Sequence, residues 1–226
     1  MNILPDLLRQ QPGFANVINT GKPFRKLDFS AANTPLLKQD LTDTDSFSKY
    51  IFDEMLSQGT YTGVGGYNEN RVIYLQRAHF MKEEQNPRNI HLGVDIWERA
   101  GEPVYTPLDA ALHSFAFNNH LGDYGPTIIL THQLNGIEFF TLYGHLSESS
   151  LLGLYVGKEF RKGEKIGEIG NYPHNGDWPP HLHFQIIADM GNREGDFPGV
   201  CSIGDRLHFL TTCPDPNLIL RIDELK

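Results

Sequence analysis

Two short segments of the 226-residue chain carry histidines and an aspartate at spacings that suit a bound metal ion. His91 and Asp95 lie in HLGVDIW. His181 and His183 lie in HLHFQII. Residues two apart in a strand share a face, so each segment would turn its polar groups to one side and its apolar residues to a core. Catalytic zinc takes three protein ligands and leaves one position for water, and two imidazoles with one carboxylate meet that need if the strands are neighbours.

A third segment, FFTLYGHLS, ends an apolar run at His145. Continued strand phase would put Tyr143 on the same face as His145. Taken alone, an isolated histidine is more often a packed residue than a site residue, and an HxxxD spacing is common by chance. The joint order of HxxxD, a downstream histidine and HxH, each at a predicted strand, favours a functional site.

This order of motifs resembles the lysostaphin-type, or LytM-like, zinc metallopeptidase family. The similarity runs from about residue 65 to residue 187 and covers these stretches: HLGVD, GEPVYTPLDA, DYGPTIILTH, LYGHLS, GKEFRKGEKIGEIG and PPHLHFQ. The resemblance implies one zinc ion per chain, with His91, Asp95 and His183 as its ligands. It also implies that His145 and His181 are catalytic histidines that do not bind the metal. The fold it implies is a small antiparallel β structure with a narrow groove across the zinc, and the activity is that of a metallo-endopeptidase that hydrolyses a peptide bond.

The chemistry of these residue types agrees with that activity. Zinc lowers the pKa of bound water toward about 7 and polarises a carbonyl group. A neutral imidazole can take a proton from that water, because its ordinary pKa lies near neutral pH. A second imidazole, when protonated, can stabilise the oxyanion or protonate the leaving amine. We assign the first role to His145 and the second to His181, and the reverse assignment stays open. The chain has no HExxH motif, which excludes the helical zincin arrangement.

Short apolar runs separated by Gly, Pro, Asn and Asp predict many strands after residue 60. The predicted strands lie near 71–76, 91–97, 103–116, 127–132, 137–144, 165–169 and 181–187. They predict a mainly β fold, an antiparallel sandwich or barrel-like domain, and two loosely similar stretches suggest a duplicated hybrid motif.

The division of the chain follows from the same pattern. We expect residues 1–60 to form a partly helical N-terminal arm, and residues 61–226 to form the β domain with a C-terminal extension. Within the arm, Phe47, Ile51 and Met55 are spaced like one face of a helix over 46–56, with Asp43 among its candidate caps.

Charge and composition limit the kinds of molecule that the protein is expected to bind. A net charge of -9 and a pI near 5.5 argue against a nucleic-acid partner. Pro5 and Asp6 interrupt the N-terminal apolar residues, so no secretory signal is visible, and no stretch reaches the roughly 18 apolar residues of a membrane span. We therefore expect a cytoplasmic protein with no membrane partner and a peptide or amide substrate.

The two cysteines, Cys201 and Cys213, form no CxxC pair, so they do not indicate a thiolate metal site. The oligomeric state stays open.

The surroundings of the proposed groove depart from the family pattern. The segment before HLH reads NYPHNGDWPP, and we expect it to form one wall of the groove. The candidate groove-lining residues are Asn68, Arg71, Tyr143, His174 and Trp178. Some relatives in the family hold their zinc site shut with a carbonyl or an asparagine from an N-terminal segment, so the arm is a candidate for that role here.

Two alternatives to a peptidase stay open. One is a non-catalytic or autoinhibited zinc-binding module with the same fold, although degenerate members usually lose ligands and this chain keeps them all. The other is an intracellular amidase acting on a small amino compound. The second idea arises because the flanks resemble family segments in fusions with a sugar-kinase-like phosphotransferase and a pyridoxal-phosphate aminotransferase. The remaining histidines have no partners at ligand spacing and are expected to be structural: His79, His113, His120, His132 and His208.

Overall fold

The computed structural model describes residues 3–74 and 87–226 of the chain. Its strands are β1 (Phe24–Leu27), β2 (Thr62–Gly65), β3 (Arg88–His91), β4 (Val94–Trp97), β5 (Pro103–Tyr105), β6 (Ala110–Asn118), β7 (Gly125–Leu134), β8 (Ile137–Gly144), β9 (Glu159–Phe160), β10 (Lys165–Glu168), β11 (Leu182–Ile187) and β12 (Val200–Ser202). Its α-helices are α1 (Leu4–Gln10), α2 (Thr44–Lys49), α3 (Arg206–Thr212) and α4 (Asn217–Leu220). The expected mainly β class is confirmed.

Eight of these strands form one sheet in the order β1-β2-β4-β11-β8-β7-β6-β9. Every neighbouring pair in it is antiparallel except β1 and β2, which run parallel. The order ends at β1 on one side and β9 on the other, so the sheet is open rather than closed into a barrel. The two smaller sheets pair β10 with β5 and β12 with β3. The central place of β11, between β4 and β8, brings the three site motifs together.

Most of the predicted strands correspond to observed ones, with three differences. The strand expected at 91–97 is broken after His91, because β3 ends there and β4 begins at Val94 in a different sheet. The strand expected near 71–76 is wrong in its described part, because Val72–Tyr74 forms a 3₁₀ turn and residues 75 and 76 lie outside the described residues. The strand expected at 103–116 is split into β5 and β6. The hairpin between β7 and β8 turns at an Asn-Gly pair. Asn135 and Gly136 both take positive φ, at 52° and 79°, which suits the tight turn that an Asn-Gly pair favours.

The main sheet is covered on both faces, and this decides where its polar groups point. Leu182, Phe184 and Ile186 of β11 belong to one hydrophobic cluster together with Val94 and Ile96 of β4. His183 alternates with these residues and therefore lies on the opposite face. That second face carries two further clusters, one around Trp97 and one around Leu92. The site motifs lie on the face that these two clusters share.

The N-terminal arm packs against the same sheet. Its strand β1 pairs with β2, and the ring of Phe29 lies 5.2 Å from that of Trp97. Asp43 caps α2 by accepting a hydrogen bond from the backbone N–H of Ser46, as expected. None of the helices in the described ranges is long and apolar enough to span a membrane.

The helix expected over 46–56 is present but changes its pitch. After α2, residues Tyr50–Met55 form a π-helical turn, which holds more residues per turn than an α-helix. Phe47 and Ile51 are buried as predicted, but the wider turn makes Leu56, rather than Met55, the third fully buried residue of that face. The arm thus places a continuous apolar surface against Trp97.

Replacing Phe47 tests whether the arm is part of the core. The ring of Phe47 is fully buried and lies 6.5 Å from that of Trp97, so we expect Phe47→Ala to lower the free energy of unfolding by about 3–5 kcal/mol in urea titration. Phe117→Ala is the control, because Phe117 is 41% exposed, and it should cost less than about 1 kcal/mol. Equal small losses for both variants would show that the arm is not integral to the fold.

Candidate metal centre

Three ligand-type atoms converge between β3, β4 and β11. Nε2 of His91 lies 3.0 Å from Nδ1 of His183, and Oδ1 of Asp95 lies 3.2 Å from the first and 3.0 Å from the second. Asp95 and His183 are opposite each other in the β4–β11 register. All three side chains are buried, and together they form a group able to hold a metal ion. The structure therefore brings together the three residues that the resemblance implied as ligands.

The hydrogen bonds of the two imidazoles show that the inner atoms are free to bind a cation. Nδ1 of His91 lies 3.1 Å from the carbonyl oxygen of Gly66, so this nitrogen carries the proton. Nε2 of His183 lies 2.9 Å from Oε1 of Gln185, whose amide nitrogen donates to Pro198. Each ring is thereby fixed in the tautomer that leaves a lone pair on its inner nitrogen, which is how ligating histidines are usually oriented.

The spacing of the three atoms fits zinc. Zinc bonds of about 2.0–2.1 Å in tetrahedral geometry put the ligand atoms about 3.3 Å apart, close to the separations of 3.0–3.2 Å seen here. Without a cation, three lone pairs would face one another in the interior, which is unfavourable. The donor set of two nitrogens and one oxygen, with a cavity on the open side, fits a catalytic zinc ion.

Asp95 uses its two oxygens differently. Oδ1 faces the histidines, whereas Oδ2 accepts a hydrogen bond from Nη1 of Arg71. Burial alone would raise the pKa of Asp95, but His91 and the Arg71 guanidinium hold it well below its ordinary value. Burial, together with the charge of Arg71, lowers the pKa of His91 to about 3. At neutral pH the group therefore consists of a carboxylate and a neutral imidazole, the forms that bind metal.

The two other motif histidines lie beside the three ligand-type residues. Nδ1 of His145 donates to the carbonyl of Asn175, and Nδ1 of His181 donates to the carbonyl of Pro179, both at 2.7 Å. In each ring this leaves Nε2 as the nitrogen that can exchange a proton with a substrate or a water molecule. The two ring centroids are 4.2 Å apart, and Nε2 of His181 lies 3.9 Å from Oδ1 of Asp95. Burial lowers the pKa of His181 to about 4 and that of His145 well below its ordinary value.

His145 reaches this place through an unusual backbone conformation. The strand β8 ends at Gly144, and His145 takes a φ of 61°, in the left-handed region. Such a conformation is uncommon for a residue with a side chain and often marks a functional position. The alternation of side chains along β8 therefore stops before His145, and Tyr143 does not share the environment of His145 as expected. Tyr143 lies fully buried in the hydrophobic core, 5.4 Å from the ring of Phe184.

A cavity of about 390 Å³ opens over these residues. Asp95, His145, His181 and His183 all line it. Its aromatic walls are Tyr74, Trp97, Tyr124, Trp178 and Phe197. The ring of Trp97 stacks on that of His181 with the centroids 4.1 Å apart. The lining is mixed, because the charged residues Arg88, Asp123, Arg193 and Asp196 also line the cavity beside these aromatic rings. A concave site with aromatic walls and convergent polar groups is suited to binding a small molecule or a chain segment.

The candidate groove-lining residues lie in different places, and of the five only Trp178 lines the cavity. Trp178 lines the cavity as expected, and Arg71 lies behind Asp95 rather than in the cavity. Asn68 accepts a hydrogen bond from Nε of Arg206 at 2.7 Å. His174 is a surface residue, 2.6 Å from Glu148.

Sequence reasoning missed several residues that the structure brings to the site. Trp97 lies two residues after Asp95, so strand phase alone places it on the ligand face. Gln185 has the same relation to His183. Asn175 and Tyr124 carry no such signal, because they come from loops whose approach depends on the sheet order. Among the other histidines, His132 is buried against Thr141, and His79 lies outside the described residues.

Residues 89–197 match the model of peptidase family M23, and the match contains all five motif residues. This match supports a LytM-like family, as the resemblance of the motifs predicted. The family supports a hydrolase of the metallopeptidase class. A search among curated proteins found no matching sequence.

Solved structures of the same kind are similar to parts of the chain. The catalytic domain of lysostaphin from Staphylococcus simulans is 24% identical over 54% of this chain and 80% of that one, with a TM-score of 0.38. A zinc-containing peptidase from Vibrio cholerae is 24% identical over 43% of this chain, with a TM-score of 0.34. The chain covers only 27% of the Vibrio peptidase. These TM-scores are low, so the support for the family comes from the match to the family model and from the spacing of the motif residues.

Removing one ligand-type histidine tests the metal centre. We expect the purified protein to hold close to one zinc ion per chain by elemental analysis, and His183→Ala to lose it on dialysis, because only two inner donor atoms remain. His132→Ala is the matched control, since His132 is equally buried but bonds Thr141 on another pair of strands. Stoichiometric zinc in both variants would show that the metal is held elsewhere.

Proposed function

We propose that this protein is a zinc metallopeptidase that hydrolyses a peptide or amide bond, with His91, Asp95 and His183 as the metal ligands. The observation that carries the proposal is the convergence of three lone pairs, within 3.2 Å of one another, in a segment of peptidase family M23. Two further histidines beside them supply the groups that amide hydrolysis needs besides the metal. The finer assignment to an endopeptidase follows the same resemblance.

The roles of the protein's own groups follow from their hydrogen bonds. His91, Asp95 and His183 would hold the zinc ion, which would supply an acidified water molecule and Lewis-acid polarisation of the scissile carbonyl. Nε2 of His145 accepts a proton, and the carbonyl of Asn175 on Nδ1 stabilises the resulting imidazolium. Nε2 of His181 lies on the ligand side of the cavity, where it can donate to the developing oxyanion or to the leaving amine once protonated. The exchange of these two roles stays an alternative.

The walls of the cavity keep the reacting groups in place and away from bulk water. Trp97 stacks flat on His181 and fixes the plane of that ring. Asn175 bonds both the N–H and the carbonyl of Trp178 through its side chain, at 3.2 and 2.9 Å. The backbone carbonyl of the same Asn175 orients His145, so one loop sets both a wall of the cavity and a catalytic histidine. Low exposure to water strengthens the electrostatic interactions inside such a site.

The autoinhibited alternative has little support from the described residues. The arm contacts the outer side of the cavity wall, where Thr44 donates to the carbonyl of Asp177 at 3.0 Å and Tyr172 donates to Asp45 at 2.9 Å. Asn68 bonds Arg206 and does not line the cavity. The amidase alternative shares the same metal and histidines and differs only in the size of the substrate.

The function is tested by hydrolysis with a zinc-loaded protein. The panel contains glycine-rich and other cell-wall crosslink peptides, unrelated peptides, and small amides, with cleavage followed by mass spectrometry. We expect His145→Ala to lower kcat by about 10²–10⁴-fold, the usual contribution of a general acid–base group, while the zinc content stays unchanged. His208→Ala is the control, because His208 is an exposed residue of α3 that does not line the cavity.

The outcomes separate the alternatives. Cleavage of peptides, lost in His145→Ala, supports a peptidase, whereas cleavage of small amides alone supports the amidase. Zinc binding with no turnover on any substrate would favour the non-catalytic module. Activity that persists in His145→Ala at the wild-type rate would contradict the assigned mechanism.

A further inference from the structure

Arg71 is a fully buried guanidinium that touches a metal ligand from behind. Its side chain is 0% exposed, and among the described residues it is not part of the cavity lining. It therefore has no route to the substrate. Burying a guanidinium is unfavourable unless its charge is paired, and apolar replacements of buried ion pairs are often equally stable. A stability role alone is thus a weak explanation for a charge at this position.

The contacts of Arg71 connect the ligand set to the arm. Nη1 donates to Oδ2 of Asp95, and Nε donates to Oε2 of Glu69 at 2.8 Å. Glu69 accepts the backbone N–H of Phe29 on its other oxygen at 3.1 Å. The carbonyl of Glu69 also accepts the backbone N–H of His91 at 2.9 Å. Glu69 therefore connects the arm to two proposed ligands, directly to His91 and through Arg71 to Asp95.

Space for the guanidinium is made by a glycine. Gly65 lies opposite Asp95 in the β2–β4 register, and a Cβ atom at Gly65 would come within 2.5 Å of Nη2 of Arg71. Nη2 is buried and has no hydrogen-bond partner among the described residues. An unpartnered buried donor costs free energy. The guanidinium therefore stays against Oδ2 of Asp95 although its unpartnered Nη2 lowers the stability of the fold.

We propose that Arg71 is a positioning residue that makes Asp95 a one-oxygen ligand of the metal. This inference rests on the proposed function. A carboxylate can offer a cation one oxygen or both, and the second mode would occupy the position that water needs. Nη1 of the guanidinium donates to Oδ2 while Nε is held by Glu69, and this two-point contact fixes the rotation of the carboxyl group. Only Oδ1 then faces Nε2 of His91 and Nδ1 of His183. A lysine keeps the charge but lacks the planar fork, so it does not replace this function.

The test uses two variants of the full chain that disturb the guanidinium in different ways. Arg71→Lys keeps the charge and removes the fork. Gly65→Ala keeps every charge and adds a methyl group where Nη2 now lies, and it serves where Arg71→Lys fails to fold. The matched control is Lys22→Met, which removes the cation from a different buried carboxylate, Glu98, 2.7 Å away at the end of the same strand β4.

Two measurements are made on each variant: zinc affinity by competition with a chromophoric chelator, and the visible spectrum of the cobalt(II)-substituted protein. Four-coordinate cobalt absorbs more strongly than five-coordinate cobalt, so the spectrum reports whether Asp95 binds through one oxygen or two. We expect Arg71→Lys and Gly65→Ala to weaken zinc binding by about 10–100-fold, as is usual for outer partners of ligands, and to lower the cobalt absorption. Lys22→Met should change neither, although it lowers the melting temperature.

The inference is overturned if both site variants keep the wild-type zinc affinity and cobalt spectrum and lose only thermal stability. Arg71 would then be a structural ion-pair partner, while an active wild type would leave the proposed function intact. A wild-type chain that binds neither zinc nor cobalt would contradict the proposed function and this inference together.

Discussion

Three lone pairs, on His91, Asp95 and His183, meet inside the protein within 3.2 Å of one another, and the surrounding structure is arranged around that convergence. Water cannot solvate them there, and each repels the others unless a cation lies between them. Free energy gained on binding a metal is therefore also free energy of folding at this point. The central position of β11 is what creates the constraint, because it sets Asp95 directly across from His183.

The polar atoms next to that convergence are held by the backbone or by amides. Carbonyl oxygens of Gly66, Asn175 and Pro179 each fix one histidine, and the side chain of Gln185 fixes the fourth. Glycines make the room this requires. A Cβ at Gly93 would come within 2.5 Å of the His183 ring, and one at Gly144 within 2.5 Å of Tyr124. Glycines at these positions let larger side chains approach the backbone closely. The geometry of the site therefore depends on having glycine at these two positions.

The N-terminal arm packs against residues that surround the site and does not line the cavity itself. Phe29 and Phe47 pack on Trp97, and Trp97 stacks on His181, so apolar burial in the arm determines the plane of a catalytic candidate. The arm also bonds the loop that carries Asn175 and Trp178. The division into an arm over residues 1–60 and a β domain over residues 61–226 stays a prediction. The contacts of the arm support the wall of the cavity from its outer side.

The sequence by itself determined the local features, because alternation along a strand is a property of neighbouring residues. It was sufficient for the mainly β class and for most of the strands after residue 60. The expected common face of His91 and Asp95 was not a property of one strand, because β3 ends at His91 and β4 begins at Val94. Only the tertiary structure placed Arg71 behind Asp95, Trp97 on His181 and Tyr143 in the core. These contacts depend on the order and register of strands far apart in the chain. The positive φ of His145 likewise depends on packing against the loop that contains Asn175. Because His145 leaves the strand conformation, the expectation that Tyr143 shares its face was wrong.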